Sequence, residues 1–252
     1  MGTCLQLSDI LLKRGRHVIL SIDRISIGLR EFVGLVGANG AGKTTFLKLC
    51  CGLLRPNRGL VLLDGRPISR YRWGAAAWRK HIGYIPQQTE YNAHLPFTAR
   101  EIVAMGRAAQ RPLGMRLNHA DYEEVDFWLD QMGLYDRRGQ TFRSLSGGQQ
   151  QRVLIARAMA GEPRIILMDE PGANLDAAAK RRLVETLEEL FSKNHLTILL
   201  VSHELALIPS ACRRIIVLDH GRITADGAKE SVLQSASLNT MFANGPAENY
   251  VH

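Results

Sequence analysis

The chain has 252 residues, of which 46% are hydrophobic and 22% charged, and its net charge is +8. That length builds one large core with room for a subdomain, and the composition excludes disordered and collagen-like classes. No apolar run approaches the about eighteen residues of a membrane span, no basic-then-apolar leader opens the chain, and Cys4, Cys50, Cys51 and Cys212 form neither a CxxC pair nor a histidine-cysteine ligand set. These thiols are expected to be reduced and buried in a cytosolic protein. Acidic and basic residues are interspersed, without a basic block or an aromatic-basic alternation, so the positive charge reads as solvated surface and no nucleic acid is expected as a partner.

Residues 5–10 and 18–29 alternate apolar and polar positions, with Leu5, Leu7, Ile22, Ile25, Ile27 and Leu29 on one period-two pattern. This predicts an antiparallel sheet lying over another layer. Phe32–Val36 is a short apolar strand that runs into Gly37-Ala38-Asn39-Gly40-Ala41-Gly42-Lys43-Thr44-Thr45 and a helix over 46–51, stopped by Gly52 and Pro56. A strand follows over 59–64 with a turn at Asp64-Gly65. The segment 66–80 combines Arg66, Arg70, Arg72, Arg79 and Lys80 with Trp73 and Trp78, and predicts a short amphipathic helix with its tryptophans inward. Ile82–Ile85 is a strand ending at Pro86-Gln87-Gln88. Helical patterning then begins near Phe97, and Val125, Trp128, Leu129 and Met132 form an i, i+3, i+4, i+7 stripe. A helix starts near Ser146 and runs to Ala160, and a buried strand covers 165–168. Beyond Asp176 the pattern predicts a helix (177–193), a strand (196–201), a short helix (204–211), a strand (215–218), a turn at His220-Gly221 and a last helix from about Lys229. Strand-helix alternation with a helical insert implies an α/β core with a subdomain.

Gly37–Thr44 fits G-x-x-x-x-G-K-[ST] between a strand and a helix, the context this pattern needs. Glycines let successive backbone N–H groups wrap phosphate oxygens, Lys43 adds a point charge, and the Thr44 hydroxyl is sized for Mg²⁺. The strand 165–168 ends in Asp169-Glu170, a carboxylate for the metal shell and a general base for water. Adjacent strand residues point to opposite faces, so both reach one crevice only at the strand's end. Leu145-Ser146-Gly147-Gly148-Gln149 opens a helix with glycines that let an anion approach its N–H groups.

Taken together, Gly37–Thr45, Gln87, Leu145–Arg152, Ile165–Pro171, Ala173–Asp176 and Ser202-His203 resemble the ordered motif set of ATP-binding cassette ATPases, over about residues 4–230. The resemblance implies a P-loop NTPase core sheet with an antiparallel β subdomain and an inserted α-helical subdomain. In that reading 1–252 is a single ATPase domain. The core takes about 1–87 and 161–230, the helical subdomain about 88–160, and a C-terminal helix or tail 231–252. It implies ATP and Mg²⁺ as ligands. Gly37, Ala38, Asn39, Gly40, Ala41, Gly42, Lys43, Thr44 and Thr45 then hold phosphates, and Thr44, Gln87 and Asp169 surround Mg²⁺. Glu170 polarises the attacking water, with His203 and Gln87 beside it. Gln87 is chosen over its neighbour Gln88 because it directly follows Pro86. Ser146, Gly147, Gly148 and Gln149 meet the γ-phosphate held by a second copy, and Asp176 lies where the copies meet.

The resemblance further implies an ATP-bound homodimer on a permease dimer, peripheral on the cytoplasmic face of the inner membrane, with a solute-binding protein in the full complex. The stretches 83–87 and 96–107 look most like subunits that serve importers of metal ions or metal chelates. Alternatives are an exporter or lipid-trafficking complex, or a soluble ATPase acting on DNA or ribosomes. One departure stands out. The family carries an aromatic residue upstream of the phosphate loop for the adenine, whereas this chain has Lys13-Arg14-Gly15-Arg16-His17. Arg16 and His17 are the planar side chains on hand there.

Overall fold

The computed structural model describes residues 2–68, 80–87, 96–112 and 114–234. Among the described residues, ten strands fall into two sheets. The first is antiparallel, in the order β2 (His17–Gly28), β1 (Thr3–Arg14), β4 (Arg58–Leu63), β5 (Arg66–Pro67). The second runs β10 (Arg222–Ala228), β9 (Arg214–Asp219), β3 (Phe32–Val36), β8 (Thr197–Val201), β7 (Ile165–Asp169), β6 (Ile82–Ile85). From β9 to β6 all neighbours are parallel, and β10 closes the edge as an antiparallel hairpin.

β3, β7 and β8 are buried at every position because both faces of the sheet are covered. Their period-two alternation feeds two cores. Ile165, Leu167, Leu199 and Val201 pack with helix α1 (Lys43–Cys50) under the antiparallel sheet. Ile166, Met168, Ile198 and Leu200 face the opposite core. That core is shared with α2 (Ala99–Ala108), α3 (His119–Gln131), α4 (Gly147–Ala160) and α5 (Ala177–Asn194). The expected stripe Val125, Trp128, Leu129 and Met132 is buried in it.

Asp64 and Gly65 take left-handed conformations at φ 48 and 73, the geometry of a tight hairpin turn. The last helix, α6 (Lys229–Leu233), begins where expected. The helix expected over 204–211 is instead one 3-10 turn, Leu205–Leu207. Ser202 Oγ accepts from Glu204 N–H and donates to the Glu204 carbonyl, an arrangement that competes with helix formation. Pro209 then holds Ile208 extended at φ −89, ψ 109. The helix expected around Trp73 and Trp78, and Gln88, lie outside the described residues.

Candidate nucleotide site

Four parallel strands bring their carboxyl ends to one edge of the sheet, where open α/β sheets carry ligands. β3 leads into Gly37–Gly42, β6 into Gln87, β7 into Glu170 and β8 into Ser202-His203. Asn39, Gly40 and Gly42 of the loop, Gln87, Glu170 and His203 line, with Lys43–Thr45, Ile19 of β2 and Asn174, a cleft of about 620 Å³, the size of a small-molecule site.

Helix α1 enters this cleft with its N-terminus open. Its cap is Gly42 at φ 102, with no side-chain cap and no acidic residue in the first turn. The first-turn N–H groups of a helix lack intrahelical partners and carry the positive end of its dipole, so the cradle fits an anion. Lys43 is 6% exposed; its Nζ donates to the carbonyls of Gly37 (2.9 Å) and Ala38 (3.0 Å). Nζ also stands 3.5 Å from Glu170 Oε1.

Asp169 and Glu170 both face the cleft for a local reason. Glu170 has φ 48, a left-handed backbone that is costly for a residue with a Cβ. The bend cancels the strand's alternation and is held by Glu170 N–H donating to Val201 C=O at 3.0 Å. Glu170 gathers its neighbours: Gln87 Nε2 donates to Oε2 at 3.0 Å, and His203 Nδ1 lies 3.1 Å from the same oxygen.

Asp169 is 1% exposed. Burial pushes its carboxyl above the usual range; a hydrogen bond with Thr44 opposes this, and the Glu170 charge adds to it. Its Oδ1 is buried without a hydrogen-bond partner. A buried carboxylate oxygen facing no donor is costly unless a cation meets it. The Thr44 hydroxyl, the Asp169 carboxylate and the Gln87 amide are hard oxygen donors, so these residues fit Mg²⁺.

Ser146–Gln149 do not line this cleft with the phosphate loop, although Gly147 shares a neighbouring hollow with Gln87 and Glu170. Ser146–Gln149 line a separate hollow with Arg152, Asp176 and Arg182. Ser146 caps α4, accepting from Gln149 N–H at 3.4 Å, and Gln149 Oε1 accepts from Ser146 N–H at 2.9 Å. The Gln149 side chain is thus engaged in its own helix cap, while the Gly147 and Gly148 amides stand at the helix start. Asp176 caps α5, its Oδ1 accepting from Ala179 N–H at 2.7 Å. Arg16 and His17 sit exposed at the tip of the β1–β2 hairpin, and the β2 side chain lining the cleft is Ile19. The reading from sequence missed Ile19 and Asn174. Ile19 carries no motif, and only the fold of β2 across the phosphate loop brings it there.

The ABC transporter family model matches residues 22–173, and the chain belongs to that family. It is an ATP-hydrolysing, Mg²⁺-dependent cassette with the α/β fold of P-loop NTPases. The zinc uptake system ATP-binding protein ZurA of Listeria monocytogenes is 35% identical over 79% of this chain and 75% of its own. The hemin import ATP-binding protein HmuV of Rhodopseudomonas palustris is 36% identical over 88% and 82%. A metal-chelate type ABC transporter solved in an inward-facing conformation matches with a TM-score of 0.82, at 25% identity over 96% of this chain and 89% of that one. The cassette MJ0796, solved as a dimer with ADP and phosphate, matches with a TM-score of 0.77, at 28% identity over 89% and 98%.

Proposed function

We propose that the chain is the energising subunit of an importer for a metal ion or metal chelate, acting as a dimer on a separate permease. The observation that carries the dimer is internal. The glycine amides of α4 and the phosphate loop line different hollows, which favours closure of the α4 turn over a γ-phosphate held by a second copy. Two copies related head to tail bring the Ser146–Gly148 turn of each to the cleft of the other, with Asp176 near the seam. The MJ0796 dimer supports this reading. Support for the cargo class comes from ZurA and HmuV, whose names specify zinc uptake and hemin import.

In this reading the phosphate loop and the α1 N-terminus hold the phosphates, and Lys43 leaves its loop carbonyls to meet them. Thr44, Asp169 and Gln87 hold Mg²⁺, which supplies charge neutralisation at the phosphates. Glu170 takes the proton of the attacking water, and its contacts with Gln87 and His203 support a role for both beside that water. His203 and Gln87 orient the water and the γ-phosphate. Among the described residues no helix is long and apolar enough to cross a membrane. In this reading the permease provides the passage, the cassette sits on its cytoplasmic face, and a solute-binding protein captures the cargo.

The test is affinity capture of the tagged chain from gently solubilised membranes, followed by mass spectrometry. The expected outcome is a polytopic permease together with a solute-binding protein that binds a metal or metal chelate. Recovery of ribosomal or DNA-repair partners with no permease overturns the transporter reading.

A further inference from the structure

The phosphate loop is gripped from behind by a turn far along the chain. β9 and β10 meet at His220-Gly221, where both residues are left-handed, at φ 43 and 76. Gly221 N–H donates to the Ala41 carbonyl at 3.0 Å, and the Gly221 carbonyl accepts from Ser21 N–H at 2.8 Å. A single residue thereby ties the loop to β2, the strand whose Ile19 lines the cleft. The approach is backbone against backbone: a Cβ at position 221 would stand 2.2 Å from the Ile19 carbonyl oxygen. The seam continues at Gly37, where a Cβ would stand 2.1 Å from the Leu218 carbonyl oxygen of β9. Gly37 thus has a reason to be glycine besides phosphate approach, and Gly221 serves the same seam from outside the motif.

We propose that Gly221 is a positioning residue for ATP, acting through the Ala41 carbonyl. A trans peptide is planar, with its C=O and N–H pointing in opposite directions. Drawing the Ala41 oxygen back onto Gly221 therefore aims the Gly42 N–H forward, into the cleft. The second bond, to Ser21, fixes the loop relative to Ile19, so phosphate and nucleoside walls share one anchor. Gly221 itself touches no ligand.

The inference rests on the ATP site described above, and its test separates the two. Gly221→Ala is compared with Gly15→Ala in the full chain. Gly15 is also left-handed, at φ 61, but a Cβ there meets nothing within 4 Å. Gly15→Ala therefore carries the backbone strain without the collision. Binding of a fluorescent ATP analogue with Mg²⁺, KM against kcat, and Tm are measured. Gly221→Ala is expected to weaken nucleotide binding about tenfold or more, because small misplacements of a binding group are costly, and to raise KM more than it lowers kcat. Gly15→Ala is expected to keep wild-type affinity. Equal affinity of the two variants overturns the proposal, whatever their Tm, whereas a wild-type chain that binds no ATP overturns the site itself. Should Gly221→Ala not fold, hydrogen exchange on the wild-type chain decides. The Gly221 amide is expected to gain protection with Mg²⁺ and the analogue, and unchanged exchange there alongside protected loop amides overturns the proposal.

Discussion

Asp121 of α3 is as buried as Asp169 beside the cleft, at 0% and 1% exposed, but its surroundings are the reverse. Asp121 accepts from Arg107 Nε at 2.8 Å, from Arg111 Nε at 2.9 Å and from Asn118 N–H at 2.9 Å. The Arg111 guanidinium, with Asn118 and Arg107, holds its carboxyl well below the usual range. Asp169 has one oxygen without any donor, and its carboxyl is pushed up. The helix starts differ in the same way. Thr98 and Asn118 cap α2 and α3 with their side chains, whereas α1, whose start lines the cleft, has only Gly42. Where charge serves the fold, its partners come from the chain. Where it serves a ligand, valence is left over, and the unliganded protein carries that cost.

The largest effect is expected at the cleft. Glu170→Gln removes the proton acceptor but keeps shape and polarity, and kcat should fall roughly 10²–10³-fold with ATP still bound. Stopped-flow phosphate release with a nucleotide titration checks this, and normal turnover would remove Glu170 as the base.

The two buried carboxylates then provide a paired test of opposite sign. Asp121→Asn removes the carboxylate that Arg107 and Arg111 share, leaving Arg107 only Glu162, and should lower Tm by on the order of 10 °C. Its folded pKa is depressed, so its contribution is present above the unfolded value of about 3.9. That contribution is lost as pH falls through the lower folded value. The Tm gap between wild type and variant should therefore be full at neutral pH and close in strong acid. Asp169→Asn removes a charge that burial disfavours and should raise the Tm of the nucleotide-free protein by roughly 3 °C while abolishing Mg²⁺-dependent turnover. If both substitutions lowered Tm alike, the contrast between the two regions would be wrong.

The smallest effect is expected at a cap. Thr98 accepts from Glu101 N–H at 3.2 Å, and Glu101 Oε2 accepts from Thr98 N–H at 2.7 Å. Thr98→Ala should cost about 1 kcal/mol in denaturant unfolding and leave the affinity for ATP unchanged.

Much of this was legible in local sequence because its causes are local. The all-buried strands of the parallel sheet announced themselves as short Ile, Leu and Val runs, and the α3 stripe followed the helical period. Lys43, Thr44, Asp169 and Glu170 follow from local pattern and Gln87 and His203 from the family resemblance, and the structure brings them together around one cleft. Other features were set against local propensity. The apolar run after Glu204 reads as a helix, yet Ser202 bonding and Pro209 limit it to one 3-10 turn. Glu170 belongs by pattern to the far face of β7, and only a left-handed residue held by Val201 turns it into the cleft.

The sequence alone determined which strands are buried, which loop binds phosphate and which carboxylates end beside it, because hydrophobic period, glycine and chain adjacency act over a few residues. Tertiary structure decided that Ile19 rather than Arg16 or His17 forms the cleft wall, and that Gly221 backs the phosphate loop. Each of these depends on packing a distant or neighbouring backbone against the site, and no local pattern encodes that distance.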